Sequence, residues 1–171
     1  VCAFMKENDG HFSVNLTEED LVSLGFAERV HKKLLENGID PSRMTVEVLE
    51  EIEDIESFNI LNNMHKFREL GFESAIDDFG SGYANFDRML SFAPNSLKIA
   101  MKYVRGINQN STHQSLVRAI VGLAHDNDMA VVAEGVETHE EQEVLEGLGV
   151  DRSQGFLFSE PAAKIAEIIQ K

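Results

Sequence analysis

Ala75-Ile76-Asp77-Asp78-Phe79-Gly80-Ser81-Gly82-Tyr83 places two adjacent carboxylates at the end of an apolar run, with two glycines close behind them. Preceded by Glu73-Ser74, the stretch reads as a short buried strand that gives way to a loop at the aspartates. Neighbouring carboxylates repel each other unless positive charge lies beside them, and a hard divalent cation with oxygen ligands is the commonest source of that charge. Gly80 and Gly82 let the backbone turn sharply or approach a ligand closely. The bland alternative is a helix cap followed by an ordinary loop, and this stretch alone does not separate the two.

The flanking sequence repeats one pattern. Upstream, an amphipathic run from about Ile55 to Leu70 is closed by Gly71, and Arg43 to Leu49 is a strand candidate interrupted by Glu47. Before that, Thr17-Glu18-Glu19-Asp20 opens a helix carrying Leu21, Val22, Leu24, Phe26, Val30, Leu34 and Leu35, with a possible break near Gly25 and an end at Gly38. Phe12 to Leu16, containing Asn15, is the first strand. Downstream, a short helical segment around Ala84 to Leu90 and a Pro94-Asn95 turn lead into Ser96 to Ala100, an apolar strand pierced by Lys98. A helix from about Thr112 to His125 should bury Leu116, Ile120, Leu123 and Ala124. Met129 to Ala133 is a buried strand ending in Glu134-Gly135-Val136-Glu137-Thr138, and a glutamate-rich helix follows to Leu148. A last strand and turn lie within Val150 to Phe158, and Pro161 opens a terminal helix.

Six strands alternating with helices imply an α/β fold with a parallel sheet and right-handed crossovers. No Gly-x-Gly-x-x-Gly or P-loop pattern follows the first strand, which argues against the usual dinucleotide and nucleotide folds. Instead each strand carries a polar residue toward its carboxyl end: Asn15, Glu47, Asp77 with Asp78, Lys98, Glu134 and Gln154. Such ends converge on one face of a TIM-like (β/α)8 barrel, and six strands are too few to close one. The expected fold is that barrel with about six of its eight strands in this chain.

Composition narrows the function. With 171 residues, 43% hydrophobic and 26% charged, the chain suits one soluble domain. Nothing approaches the roughly 18 apolar residues of a membrane span, so no membrane contact and a cytoplasmic location are expected. Cys2 is the single cysteine, which excludes an internal disulfide and a cysteine zinc site. A net charge of -15 argues against gripping long nucleic acid but allows a small phosphate ligand if metal ions reverse the local field. His11, His31, His65, His113, His125 and His139 form no metal-binding pair and read as helix-face or surface residues.

Taken singly, each has a bland reading: Asn15 as a helix cap, Lys98 as the partner of a carboxylate and Glu134 as a partly exposed strand end. Taken together, a cluster of carboxylates with one lysine implies mutual compensation or metal, because unpaired buried charge is costly. Carboxylates, an amide oxygen and a lysine match metal-assisted hydrolysis of a phosphodiester. Two cations roughly 4 Å apart would serve that chemistry, and oxygen ligands favour Mg2+ or Mn2+ over zinc.

The set FSVNLT, VEVLE, IDDFGSGY, SLKIA, VVAEGVET and DRSQGFLF, in this order along nearly the whole chain, resembles the EAL-domain family of cyclic-di-GMP phosphodiesterases. The resemblance implies a (β/α)8 barrel that opens the cyclic dinucleotide to its linear form with a two-metal site. It implies that Asn15, Glu47 and Asp77 are metal ligands, with Asp78 and Glu134 at the second metal, and that Asp78 and Gln154 also face the substrate. Lys98 then resembles the residue holding the attacking water, and Glu134 the carboxylate placed to take its proton. Glu50 resembles the anchor of the loop after the aspartate pair, and Glu137 a supporting residue.

Two departures stand out. The strand bearing the family's Glu-Ala-Leu and the one before it have no counterpart, so residues 1–171 read as a single EAL-type domain lacking its first two strands. Ala100 stands where the family reads aspartate after Lys-Ile. These leave open a degenerate domain that binds cyclic-di-GMP or a protein partner without hydrolysis. Other signalling domains in a longer chain and a homodimer are the further expected partners.

Overall fold

The alternating run at Phe12–Leu16 and the apolar run at Met44–Leu49 form strands β1 and β2, and Glu73–Phe79 forms β3. The computed structural model describes residues 2–50, 58–81 and 90–159, which divide between two units, Val1–Asn95 and Ser96–Lys171. Gly82, Tyr83, the helical segment expected from Ala84 and the terminal helix expected from Pro161 lie outside the described residues, as does the start of the helix expected from Ile55.

In the first unit β1, β2 and β3 are parallel, with Asn15 opposite Glu47 and Glu47 opposite Ala75. Helix α1 (Cys2–Glu7) precedes β1. The Thr17 capping box with Asp20 starts α2 (Glu18–Val22), and Gly25, at φ 70°, separates it from α3 (Phe26–Glu36). The break expected near Gly25 is therefore real. Leu21 and Leu34 are buried, whereas Leu24 in the break is 72% exposed.

Asn63, on α4 (Phe58–Glu69), answers the backbone groups that this break leaves over. Its Nδ2 donates to the carbonyls of Leu21 (2.6 Å) and Ser23 (3.0 Å), and its Oδ1 accepts from Ala27 N (3.3 Å). Phe67 of α4 packs edge-on against both Phe26 and Phe72. Asp40 caps a 3-10 turn at Pro41–Arg43, so β2 starts at Met44. Arg43 is thereby freed to donate to the carbonyls of Met5, Asn8 and Gly10.

In the second unit β4 (Ser96–Ile99), β5 (Ala130–Glu134) and β6 (Arg152–Gln154) are parallel, with Lys98 opposite Val132 and Glu134 opposite Gln154. Ala100 is not in β4; it is the N-cap of a short helix, α5 (Met101–Val104), and offers no side-chain cap. A 3-10 turn, Ile107–Gln109, leads to α6 (Ser111–His125), capped by Asn110. Helix α7 (His139–Gly147) is capped by Thr138 and Glu141.

The buried stripe of α6 is Val117, Ile120, Val121 and Ala124. Leu116, expected inside, is 37% exposed. An i, i+3, i+4, i+7 stripe starting at Val117 is as regular as one starting at Leu116, and the structure takes the former. His125 Nε2 lies 2.9 Å from Asp151 Oδ2, which also accepts from Val131 N (2.7 Å), joining the end of α6 to the start of β5. Burial raises the Asp151 pKa, but these two bonds and the nearby His125 and Arg152 charges bring it below its ordinary value.

Candidate active site

On the first unit, Asn15 and Glu47 are register partners and so leave the sheet on one face. Asp77 is two residues beyond Ala75, the partner of Glu47, and shares that face. Glu47 is 7% exposed in the buried stretch of β2, Asp77 is half-buried, and Asn15 and Asp78 are exposed.

The strand ends in an unusual backbone. Asp78 has φ 56°, in the left-handed region that non-glycine residues enter rarely and aspartate more readily than most. Its N–H donates to Asp77 Oδ1 (3.0 Å), and Ser81 N closes a turn on the Asp78 carbonyl (2.9 Å). Gly80, at φ 89°, donates its N–H to Glu50 Oε2 (2.9 Å), while Glu50 N donates to the Asp77 carbonyl (3.3 Å). Glu50, just past β2, therefore holds both the end of β3 and the turn that follows.

On the second unit Lys98, 6% exposed between Leu97 and Ile99, reaches Glu134 with Nζ 2.7 Å from Oε1. Gln154 Nε2 donates to the same oxygen (3.0 Å). A buried ammonium and carboxylate offset each other's desolvation only in such a close, hydrogen-bonded arrangement. The Lys98–carboxylate pair named as a bland alternative is thus present, and its carboxylate, Glu134, lines a cavity of about 420 Å³ with Gln154, Met101 and Phe156.

Two glycines permit this wall. A Cβ on Gly135 would fall 2.3 Å from the Met101 side chain, and one on Gly155 would fall 2.2 Å from the Val136 carbonyl oxygen. The Gly155 approach lets Val136 N bond to the Gln154 carbonyl (3.1 Å) and Leu157 N to the Val136 carbonyl (3.0 Å).

Glu137 receives the guanidinium of Arg105 on Oε1 at the cavity wall. Neither Arg105 nor Glu141 stood out in the sequence. Glu141 is 5% exposed and accepts from the N–H groups of Gly106, Glu137 and Thr138. Burial alone would raise its pKa; those three donors, aided by the Arg105 charge, take it below its ordinary value of 4.5. The Thr138-x-x-Glu141 spacing is a readable capping box, but its contact with Gly106 depends on tertiary structure.

Among the described residues no three His, Cys, Asp or Glu side chains are gathered as a metal site. The donor chemistry of Asn15, Glu47 and Asp77, one amide and two carboxylates on one face, fits an oxygen-seeking divalent cation. No helix among the described residues is long and apolar enough to cross a membrane.

Residues 1–161 match the family model described as the EAL domain. The probable cyclic di-GMP phosphodiesterase PdeA of Escherichia coli K12 is 35% identical over 150 residues, 88% of this chain and 21% of that protein. The crystal structure of the EAL domain of Mycobacterium smegmatis DcpA matches with a TM-score of 0.89 at 30% identity, covering 99% of this chain and 79% of that one. A manganese and c-di-GMP complex of Klebsiella pneumoniae BlrP1 matches with a TM-score of 0.82 at 30% identity, covering 94% and 42%. The chain spans about a fifth of the length of the curated relatives it matches first. The fold is of the TIM-like (β/α)8 class of these EAL structures, with six strands among the described residues, three of them parallel in each unit.

Proposed function

This chain belongs to the EAL-domain family, and from that premise we propose that it forms most of a domain that hydrolyses cyclic-di-GMP to the linear dinucleotide with the help of Mg2+ or Mn2+. The observation that carries the reading is the buried Lys98 held on Glu134 together with Gln154 beside an open cavity. The BlrP1 complex, which holds manganese and the cyclic dinucleotide together, supports the same ligand pair.

Asn15, Glu47, Asp77, Asp78 and Glu134 would hold the cations, whose contribution when bound is to polarise the phosphate and neutralise the charge that develops on it. Lys98 supplies a fixed positive charge that orients the attacking water. Glu134 takes that water's proton as the water oxygen bonds to phosphorus, while the phosphorus–oxygen bond to the ribose breaks and the freed ribose oxygen takes up a proton from solvent. Gln154 fixes Glu134 by its amide and, with Asp78, faces the dinucleotide. Glu50 keeps the turn after Asp77-Asp78 in place, and Glu137 supports the cavity wall.

One observation favours a second reading, a domain that binds cyclic-di-GMP without cleaving it. Ala100, 2% exposed, puts a methyl group at an uncapped helix start where the family reads aspartate. Incubating the whole protein with cyclic-di-GMP under saturating Mg2+ or Mn2+ separates the two. Conversion to the linear product, abolished by chelator, is the expected result. Binding without conversion selects the receptor, and absence of both overturns both readings.

A further inference from the structure

The chemistry proposed above gives Glu141 no part, yet it is a buried carboxylate that accepts from three backbone N–H groups. Its Oε2 closes the α7 capping box, accepting from Glu137 N at 2.9 Å and Thr138 N at 3.1 Å. Capping accounts for that oxygen alone. Oε1 accepts from Gly106 N at 2.7 Å, and Gly106 lies in a different connection, between α5 and the 3-10 turn. Gly106 has φ 68°, so a left-handed turn that suits glycine presents this N–H.

The residues joined in this way are the neighbours of one pair. Gly106 follows Arg105, and the Glu137 amide belongs to the residue that Arg105 contacts at the cavity wall. Those two side chains are 52% and 40% exposed, and an ion pair so open to water contributes little rigidity of its own.

We propose that Glu141 is a positioning residue: by bracing the Gly106 amide against those of Glu137 and Thr138, it sets where the Arg105–Glu137 pair stands in the wall of the cavity beside Glu134. Its bearing on cyclic-di-GMP affinity rests on the proposed function; the brace itself rests on the geometry. A carboxylate is required because both of its oxygens face N–H donors. Glutamine, an ordinary partner in capping boxes, has only one acceptor and would turn its NH2 toward the other donor.

The test is Glu141→Gln in the whole protein, followed by amide hydrogen exchange, the Arg105 Nε–H resonance and steady-state kinetics. The amide oxygen can keep the capping box, so exchange at Glu137 and Thr138 should stay within about threefold while Gly106 exchanges about tenfold or more faster. The Arg105 resonance should move, and KM for cyclic-di-GMP should rise about fivefold or more with kcat held within about twofold. Glu141→Ala, which also removes the cap, should release all three amides. Unchanged exchange at Gly106 overturns the brace, as does a released Gly106 with both the Arg105 resonance and KM unmoved. Should the wild-type protein neither bind nor cleave the dinucleotide, the proposed function falls, and Gly106 exchange with the Arg105 resonance decides the brace alone.

Discussion

Lys98 answers two demands at once, since its charge offsets Glu134 and also serves the proposed chemistry. Removing it by Lys98→Met leaves a mostly buried carboxylate with Gln154 still bonded to it, and breaking such a pair costs about 3 kcal/mol. Stability loss alone therefore does not identify a catalytic lysine. The double variant Lys98→Met with Glu134→Gln removes both charges, so melting temperature should recover most of the way while turnover stays lower by orders of magnitude. Recovery of turnover along with stability would make the pair purely structural. Gly155 permits a plainer expectation. Gly155→Ala drives a methyl group into the Val136 backbone, breaking the bonds that hold β6 to the segment after Glu134. It should lose about 2 kcal/mol or more by urea denaturation, with the slope unchanged.

Elements were legible in the sequence wherever local chemistry decided them. Thr17 with Asp20, Gly25 and the Arg43–Leu49 run each carried its own signal, and the structure places an element boundary or strand at each, the strand starting one residue later at Met44. The misses came where tertiary packing chose between equal local options. Helix α6 could bury Leu116 or Val117, and the sequence pattern does not rank them. Asn63 carries no local signal, because its partners are carbonyls some forty positions away. Asn63→Ala should leave those carbonyls and the Ala27 amide short of partners inside the first unit, a loss of about 2 kcal/mol or more by urea denaturation. The Glu141 cap gives an element-scale pH dependence. Its folded pKa lies below 4.5, so its stabilisation is fully present above pH 4.5 and is lost as pH falls through that value toward the lowered folded one. Glu141→Gln should flatten this part of the stability profile, measured by denaturant titration at a series of pH values. An identical acid limb in both proteins would place the titration elsewhere.

Across the whole molecule, the site was read from the sequence as residue types at strand ends, and the structure supplies the partners that types alone do not name. Glu134 with Lys98 and Gln154, and Glu50 with Gly80, are pairings no spacing rule gives, because each joins residues 20 or more positions apart. The metal assignment is the part for which chemistry rather than contact is the guide, and it has a consequence for the stability of the whole protein. Fifteen excess negative charges oppose compaction in any medium, so added salt of every kind should stabilise the fold a little by screening. A cation that binds the folded site and not the unfolded chain stabilises further, by about 2.7 kcal/mol when its concentration is a hundredfold its Kd. Manganese should therefore raise the melting temperature above that in sodium chloride of equal ionic strength, and chelator should reverse the rise. In Glu47→Gln and Asp77→Asn the excess over sodium should shrink, while the metal-free melting temperature holds or increases because like charges have been relieved. If both variants keep the full manganese effect, Glu47 and Asp77 are not its ligands. Those two carboxylates of β2 and β3 would then have to be explained without metal, the Asp77 charge being eased by the Asp78 amide that donates to it.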